Sequence, residues 1–108
     1  MVTFSIKQLA NGQLPGTTGD LYTTPGATQT IVKNIILVNT AGTTENVNLY
    51  MLKASGTARR LIPKNCALGG GYQLTMDDEV TLEAGDKIQG DTTSGTTVDY
   101  TISGVEQT

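Results

Sequence analysis

Few residues in this 108-residue chain are equipped for chemistry, and most of those are acids. Asp77-Asp78-Glu79, followed by Asp86 and Asp91, could offer oxygen ligands to Ca²⁺. Their spacing matches no EF-hand loop, and three consecutive acids at a strand end cannot all face one ion. Solubilised turns are the better reading. A carboxylate pair could also hydrolyse a glycoside, but that chemistry needs one carboxyl tuned upward, and no aromatic groove accompanies these acids. The chain has no histidine, no tryptophan and a single cysteine, Cys66. The commonest general base is therefore missing, along with every Ser-His, Cys-His and zinc-type constellation. Gly69-Gly70-Gly71 lacks the Gly-Lys-Ser/Thr ending of a phosphate loop, and no helix follows it. The expectation is a protein that is not an enzyme and carries no cofactor or metal.

Side chains suited to recognition remain. Arg59 and Arg60 point to opposite faces if their segment is a strand, so one could meet acids on a neighbouring subunit while the other stays solvated. The plainer reading is two exposed charges contributing little. Tyr22, Tyr50, Tyr72 and Tyr100 could stack on a sugar, although carbohydrate modules commonly use tryptophan as well. The better expectation puts them at core edges or subunit contacts with wet hydroxyls. Cys66 reads as a small buried residue. The segment of residues 1–10, carrying Phe4 and Ile6, is the best interaction candidate. It is either an ordinary first strand or an arm that adds to a neighbour's sheet edge.

These residues have to be held by a small framework. The length predicts a single domain over residues 1–108 with one modest core. Ten acids against seven bases give a net charge of −3. Arg59-Arg60 is the only adjacent basic pair, so nucleic acid is not an expected partner. No apolar run approaches the ~20 residues that span a bilayer, and residues 1–10 lack the apolar block of a signal peptide. A soluble protein made in a cytoplasm, with no membrane partner, is expected.

Nineteen threonines and thirteen glycines favour pleated strands joined by tight turns. Val2, Phe4 and Ile6 alternate with Thr3, Ser5 and Lys7 as in a half-buried strand. Asn11-Gly12 and Pro15-Gly16 mark a turn-rich connection. Leu21-Tyr22-Thr23-Thr24 is a short strand, and residues 28–40 form a long central one, rich in Ile and Val. Residues 46–51, 58–62, 72–76, 80–82, 87–89 and 98–103 complete the series, with Leu68 to Gly71 as a glycine turn. About eight short strands and no amphipathic helix predict an all-β fold, an antiparallel β-sandwich or jelly roll.

Three strings carry a resemblance. The first is Leu21-Tyr22-Thr23-Thr24-Pro25-Gly26 leading into Ile31-Val32-Lys33-Asn34-Ile35 and Leu37-Val38-Asn39-Thr40. The second is Leu82-Glu83-Ala84-Gly85-Asp86-Lys87-Ile88-Gln89-Gly90, and the third is Asp99-Tyr100-Thr101-Ile102-Ser103-Gly104-Val105-Glu106. In this order, over residues 21–106, they resemble small virion proteins of tailed bacteriophages. That resemblance implies a jelly-roll sandwich with a structural job, namely a capsid decoration or cement protein. Such a protein sits between capsomers on the outside of the shell, as a homotrimer, with the major capsid protein as its partner. It also implies a place in the virion. The pattern occurs in larger fibre and tail proteins too, so a neck, tail or fibre-attachment component is the alternative, and a host-surface glycan-binding module is a third reading.

Overall fold

The computed structural model describes residues 2–108, so Met1 of the N-terminal segment lies outside the described residues. Its strands are β1 (Phe4–Gln13), β2 (Gly19–Thr23), β3 (Gln29–Asn39), β4 (Glu45–Leu52), β5 (Arg59–Arg60), β6 (Cys66–Leu68), β7 (Gln73–Met76), β8 (Val80–Leu82), β9 (Lys87–Thr92) and β10 (Val98–Gln107). They form two five-stranded antiparallel sheets. The first, sheet A, runs β1-β10-β3-β7, with β8 also on β3; sheet B runs β2-β9-β4-β5, with β6 also on β4.

The ten segments fill eight strand positions. β5 and β6 share one flank of β4, and β7 and β8 share one flank of β3. Pro63, which has no N–H to donate, lies in the first interruption, and the exposed Asp77-Asp78 pair lies in the second. Merged in this way, the chain passes from one sheet to the other at every connection between strand positions except the one from β4 to β5. That is the jelly-roll path of two interlocked Greek keys.

The sheets meet over Val32, Ile35 and Leu37 of β3, Ile102 of β10, Val47 and Leu49 of β4 and Ile88 of β9, all fully buried with Leu14, Leu82 and Val98. β-Branched and leucine side chains at alternate positions fill this space, as the strand period requires. Gly104 lies at a register shift between β10 and β3, so close that a Cβ there would stand 2.2 Å from the Ile31 carbonyl oxygen and 3.0 Å from Leu9 Cδ1. Since backbone cannot retreat as a flexible side chain can, Gly104→Ala is expected to lower stability by about 1–3 kcal/mol, read by thermal melting.

Several sequence expectations change. Asn11-Gly12, expected to turn, continue β1, and Gly12 leaves space for the Tyr100 ring, whose hydroxyl a Cβ would meet at 3.3 Å. Residues 58–62 shrink to the two residues of β5. Leu68, expected in the glycine turn, closes the strand β6, and Cys66 is half-buried on that same strand. The arm-or-strand alternative resolves to a strand, because β1 pairs with β10.

The largest correction concerns the direction of β1. The apolar alternates Phe4 and Ile6 face solvent, 67% and 89% exposed, in line with Val2 just before the strand at 57%. The polar alternates take the inner side, where Lys7 pairs with Glu106 at 3.1 Å. At that rim the sandwich is lined by Glu106, the Tyr22 hydroxyl and Thr30, so the polar half of β1 finds partners there.

Candidate interaction surface

The two outer faces of the sandwich differ in chemistry. On sheet B, Asp20, Gln89, Tyr50 and Arg60 stand directly opposite one another across four strands. Gln89 Nε2 donates to Asp20 Oδ1 at 2.7 Å, and the Arg60 guanidinium carbon lies 5.0 Å from the Tyr50 ring centroid. The hydrogen bond from Gln89, then the Lys87 ammonium, hold the Asp20 carboxyl below the usual carboxylate range. In the next row Asn48 Oδ1 accepts from Arg60 at 2.7 Å and from the Asn65 N–H at 2.8 Å, while its amide donates to Asp91 at 2.8 Å. This face is polar and internally cross-linked.

Sheet A carries the opposite arrangement. Ile6 stands opposite Val105, Val105 opposite Ile31, and Ile31 opposite Thr81. Ile31 is 41% exposed and Ile6 far more so. Phe4 opens the adjoining row, opposite Gln107, and lines a small depression with Ile31, Thr81 and Val105. Beyond this row lies Lys33, ion-paired with Glu79. Four apolar side chains therefore sit together on the outside of the fold with no covering layer among the described residues, the kind of patch that marks an interaction surface.

The remaining candidate residues are dispersed. Arg59 and Arg60 are both exposed; Arg59 stands opposite Met51 and Arg60 opposite Tyr50, on the two faces of β5. Lys7, Lys33, Lys53 and Lys87 all hold acids, whereas Arg59, Arg60 and Lys64 make no ion pair among the described residues. The tyrosines share no face, and Tyr22, expected to keep a wet hydroxyl, is only 8% exposed. Its hydroxyl donates to Glu106 Oε2 at 2.6 Å and lies 2.9 Å from Thr30 Oγ1. Burial, reinforced by the Glu106 carboxylate, pushes this hydroxyl up to about 12. In return the hydrogen bond from Tyr22, then that from Lys7, hold Glu106 below the usual carboxylate range. Tyr22 thus locks sheet B to the rim of sheet A.

Among the described residues the acids form no cluster that could hold a metal ion. Asp86 is 1% exposed and is bound by the N–H groups of Ala54 and Glu83 and by Lys53, while Asp91 accepts from Thr18 and Asn48. Glu45 is held by Ser94, whose hydroxyl and N–H lower its carboxyl. Gly85 adopts φ +86° in the turn Glu83-Ala84-Gly85-Asp86, where a left-handed backbone favours glycine. The outward row on sheet A was missed in the sequence because an alternation shows which residues share a face, not which face meets the core.

No protein-family model matches the chain, and no curated protein matches it. Solved structures share its fold. A chain of the Bacillus endospore appendages, disulfide-linked pili, superposes with a TM-score of 0.59 at 13% identity, covering 98% of this chain and 88% of that one. A chain from the acid-stable capsid structure of Helicobacter pylori bacteriophage KHP30 gives 0.52 at 10% identity, covering 100% and 94%. A chain of the T13 particle of infectious bursal disease virus gives 0.51 at 14%, covering 99% of this chain, which spans only 30% of the viral one. At these identities the likeness is one of fold.

Proposed function

We propose that this chain is a structural protein of a bacteriophage virion. More specifically, we read it as a capsid decoration or cement protein that lays the outer face of sheet A on the major capsid protein between capsomers. The carrying observation is the uncovered row Ile6–Val105–Ile31–Thr81 with Phe4 beside it, on a fold whose other face is polar and self-satisfied. The near full-length fold match to a chain in the KHP30 capsid structure supports a place in a virion. Committed carboxylates and the lack of histidine support a role without catalysis. A bridging subunit makes separation of two capsomers break its interface as well, and many modest contacts suffice on a shell with many identical sites.

Ile31→Asp puts a charge at the centre of that row without touching the core. It is expected to weaken co-sedimentation with mature shells at least about tenfold, with the fold retained and stability lowered by only about 1 kcal/mol. Unaltered binding by the variant would overturn the docking face. Gel densitometry of purified particles separates decoration, with many copies per particle, from a neck, tail or fibre-attachment component with few.

The endospore-appendage likeness favours a second reading, a subunit of a pilus-like filament. One cysteine, Cys66, can join at most two copies, so disulfides alone cannot chain this sequence into a polymer. Electron microscopy of the concentrated protein tests for filaments.

A further inference from the structure

Backbone geometry on the free edge of sheet A carries an inference that the proposed function does not require. Thr3 and Thr108 exchange both backbone hydrogen bonds, each 2.9 Å long, and the pairing continues in register through Ser5–Glu106 and Lys7–Gly104. In an antiparallel ladder these bonded pairs alternate with unbonded ones. The N–H and C=O groups of Phe4, Ile6 and Gln8 therefore point away from β10, and among the described residues no strand lies on that side. The residues with unspent backbone groups are the ones whose side chains stand on the outer face.

We propose that β1 pairs antiparallel with β1 of a second copy about a two-fold axis through Ile6, joining two five-stranded sheets into one. In this register Ile6 meets Ile6 of the other copy, and Phe4 meets its Gln8, with both backbone bonds exchanged at each pair. Parity excludes every register displaced by one residue, because inward-facing groups would then meet outward-facing ones. A shift of two residues towards β1's C-terminal end would set Lys7 against its own copy, a like-charge pair that destabilises. Centred on Ile6, each Lys7 instead stands opposite the small Ser5 of the other copy. Since Ser5 pairs with Glu106, each lysine then lies in line with an acid of the second sheet. The register shift after Gln8 limits pairing to this N-terminal half. The rows Thr81–Ile31–Val105–Ile6 of the two copies become one continuous ridge, and both apolar faces look the same way, as an isologous contact on the face of one sheet demands.

The test uses the full chain. Ile6→Pro removes only an outward N–H, which the chain's own sheet does not use, and edge strands tolerate proline. Ile6→Lys leaves the backbone intact but opposes two ammonium groups. By light scattering the native protein is expected at about twice the 11.3 kDa chain mass, and both variants at one chain mass. Hydrogen exchange is expected to show the Phe4 and Ile6 amides protected in the native protein and exposed in Ile6→Lys, with Ser5 and Lys7 protected in both. A native monomer, a trimer with freely exchanging Ile6, or a dimer indifferent to Ile6→Lys would overturn the pairing. Shell binding is scored separately, so failure of the virion reading leaves this result legible.

Discussion

Asn39→Leu is expected to destabilise the fold by about 3–5 kcal/mol, because one buried amide holds three connections at one end of the sandwich. Asn39 is fully buried at the end of β3. Its Nδ2 donates to the Thr43 carbonyl at 2.8 Å and to the Leu68 carbonyl at 2.9 Å, and its Oδ1 accepts from the Ala41 N–H at 2.9 Å. Its own N–H reaches the Tyr72 carbonyl and its own carbonyl receives Gly71. Leucine keeps the branched shape but is bulkier, and it strands two carbonyls and an N–H without water. The turns being clamped lie in contact, since a Cβ on Gly70 would stand 2.5 Å from the Gly42 carbonyl carbon. Asn39→Asp isolates the donors, keeping one acceptor while turning a carboxylate toward two carbonyls, and should be at least as harmful at neutral pH. Urea unfolding reads both. A loss below about 1 kcal/mol for Asn39→Leu would show that these carbonyls find other partners.

What could be read in advance follows from which forces act locally. β3, β4 and β10 were legible because each carries enough β-branched or alternating residues to specify a strand over several turns of the pattern. The turn Glu83–Asp86 was legible because Gly85 and Asp86 have local jobs, a positive φ and bonds to nearby N–H groups. β6 was not, because three residues running into Gly69-Gly70-Gly71 carry no period, and only the flank of β4 makes Cys66-Ala67-Leu68 a strand. Asn11-Gly12 misled for a related reason: its glycine serves the Tyr100 ring across the sheet, a non-local demand. Phe4 and Ile6 were singled out from their segment, yet their outward direction depends on Lys7 meeting Glu106, 99 residues along the chain, and on Tyr22, which meets the same Glu106 across 84 residues. Tyr22 was assigned to a wet rim because nothing near it announces Thr30 and Glu106 as its partners.

Asp86→Asn is expected to lower stability by about 2 kcal/mol at neutral pH, and the deficit should shrink as the solution is acidified. Burial would raise the Asp86 carboxyl, but Lys53 and the N–H groups of Glu83 and Ala54 outweigh it and hold the group below its ordinary value. A carboxyl depressed in the folded state stabilises fully above its unfolded value of about 4, and that contribution is lost as pH falls through the lower folded value. Asp20, Glu45 and Glu106 are depressed as well, so the native protein weakens in acid through several groups at once. The comparison with Asp86→Asn isolates one of them: melting temperatures of the two proteins should differ between pH 6 and 8 and converge below about pH 4. Parallel curves would mean that the carboxylate charge is immaterial and only the shape of the turn matters. The site is sensitive because the turn does more than join β8 to β9. Gly85 donates to the Thr24 carbonyl at 3.0 Å and Thr24 donates to the Asp86 carbonyl at 2.9 Å, while Asp86 Oδ1 receives Ala54 beyond β4. Loosening one carboxylate therefore frees three connections at the same end of the sandwich.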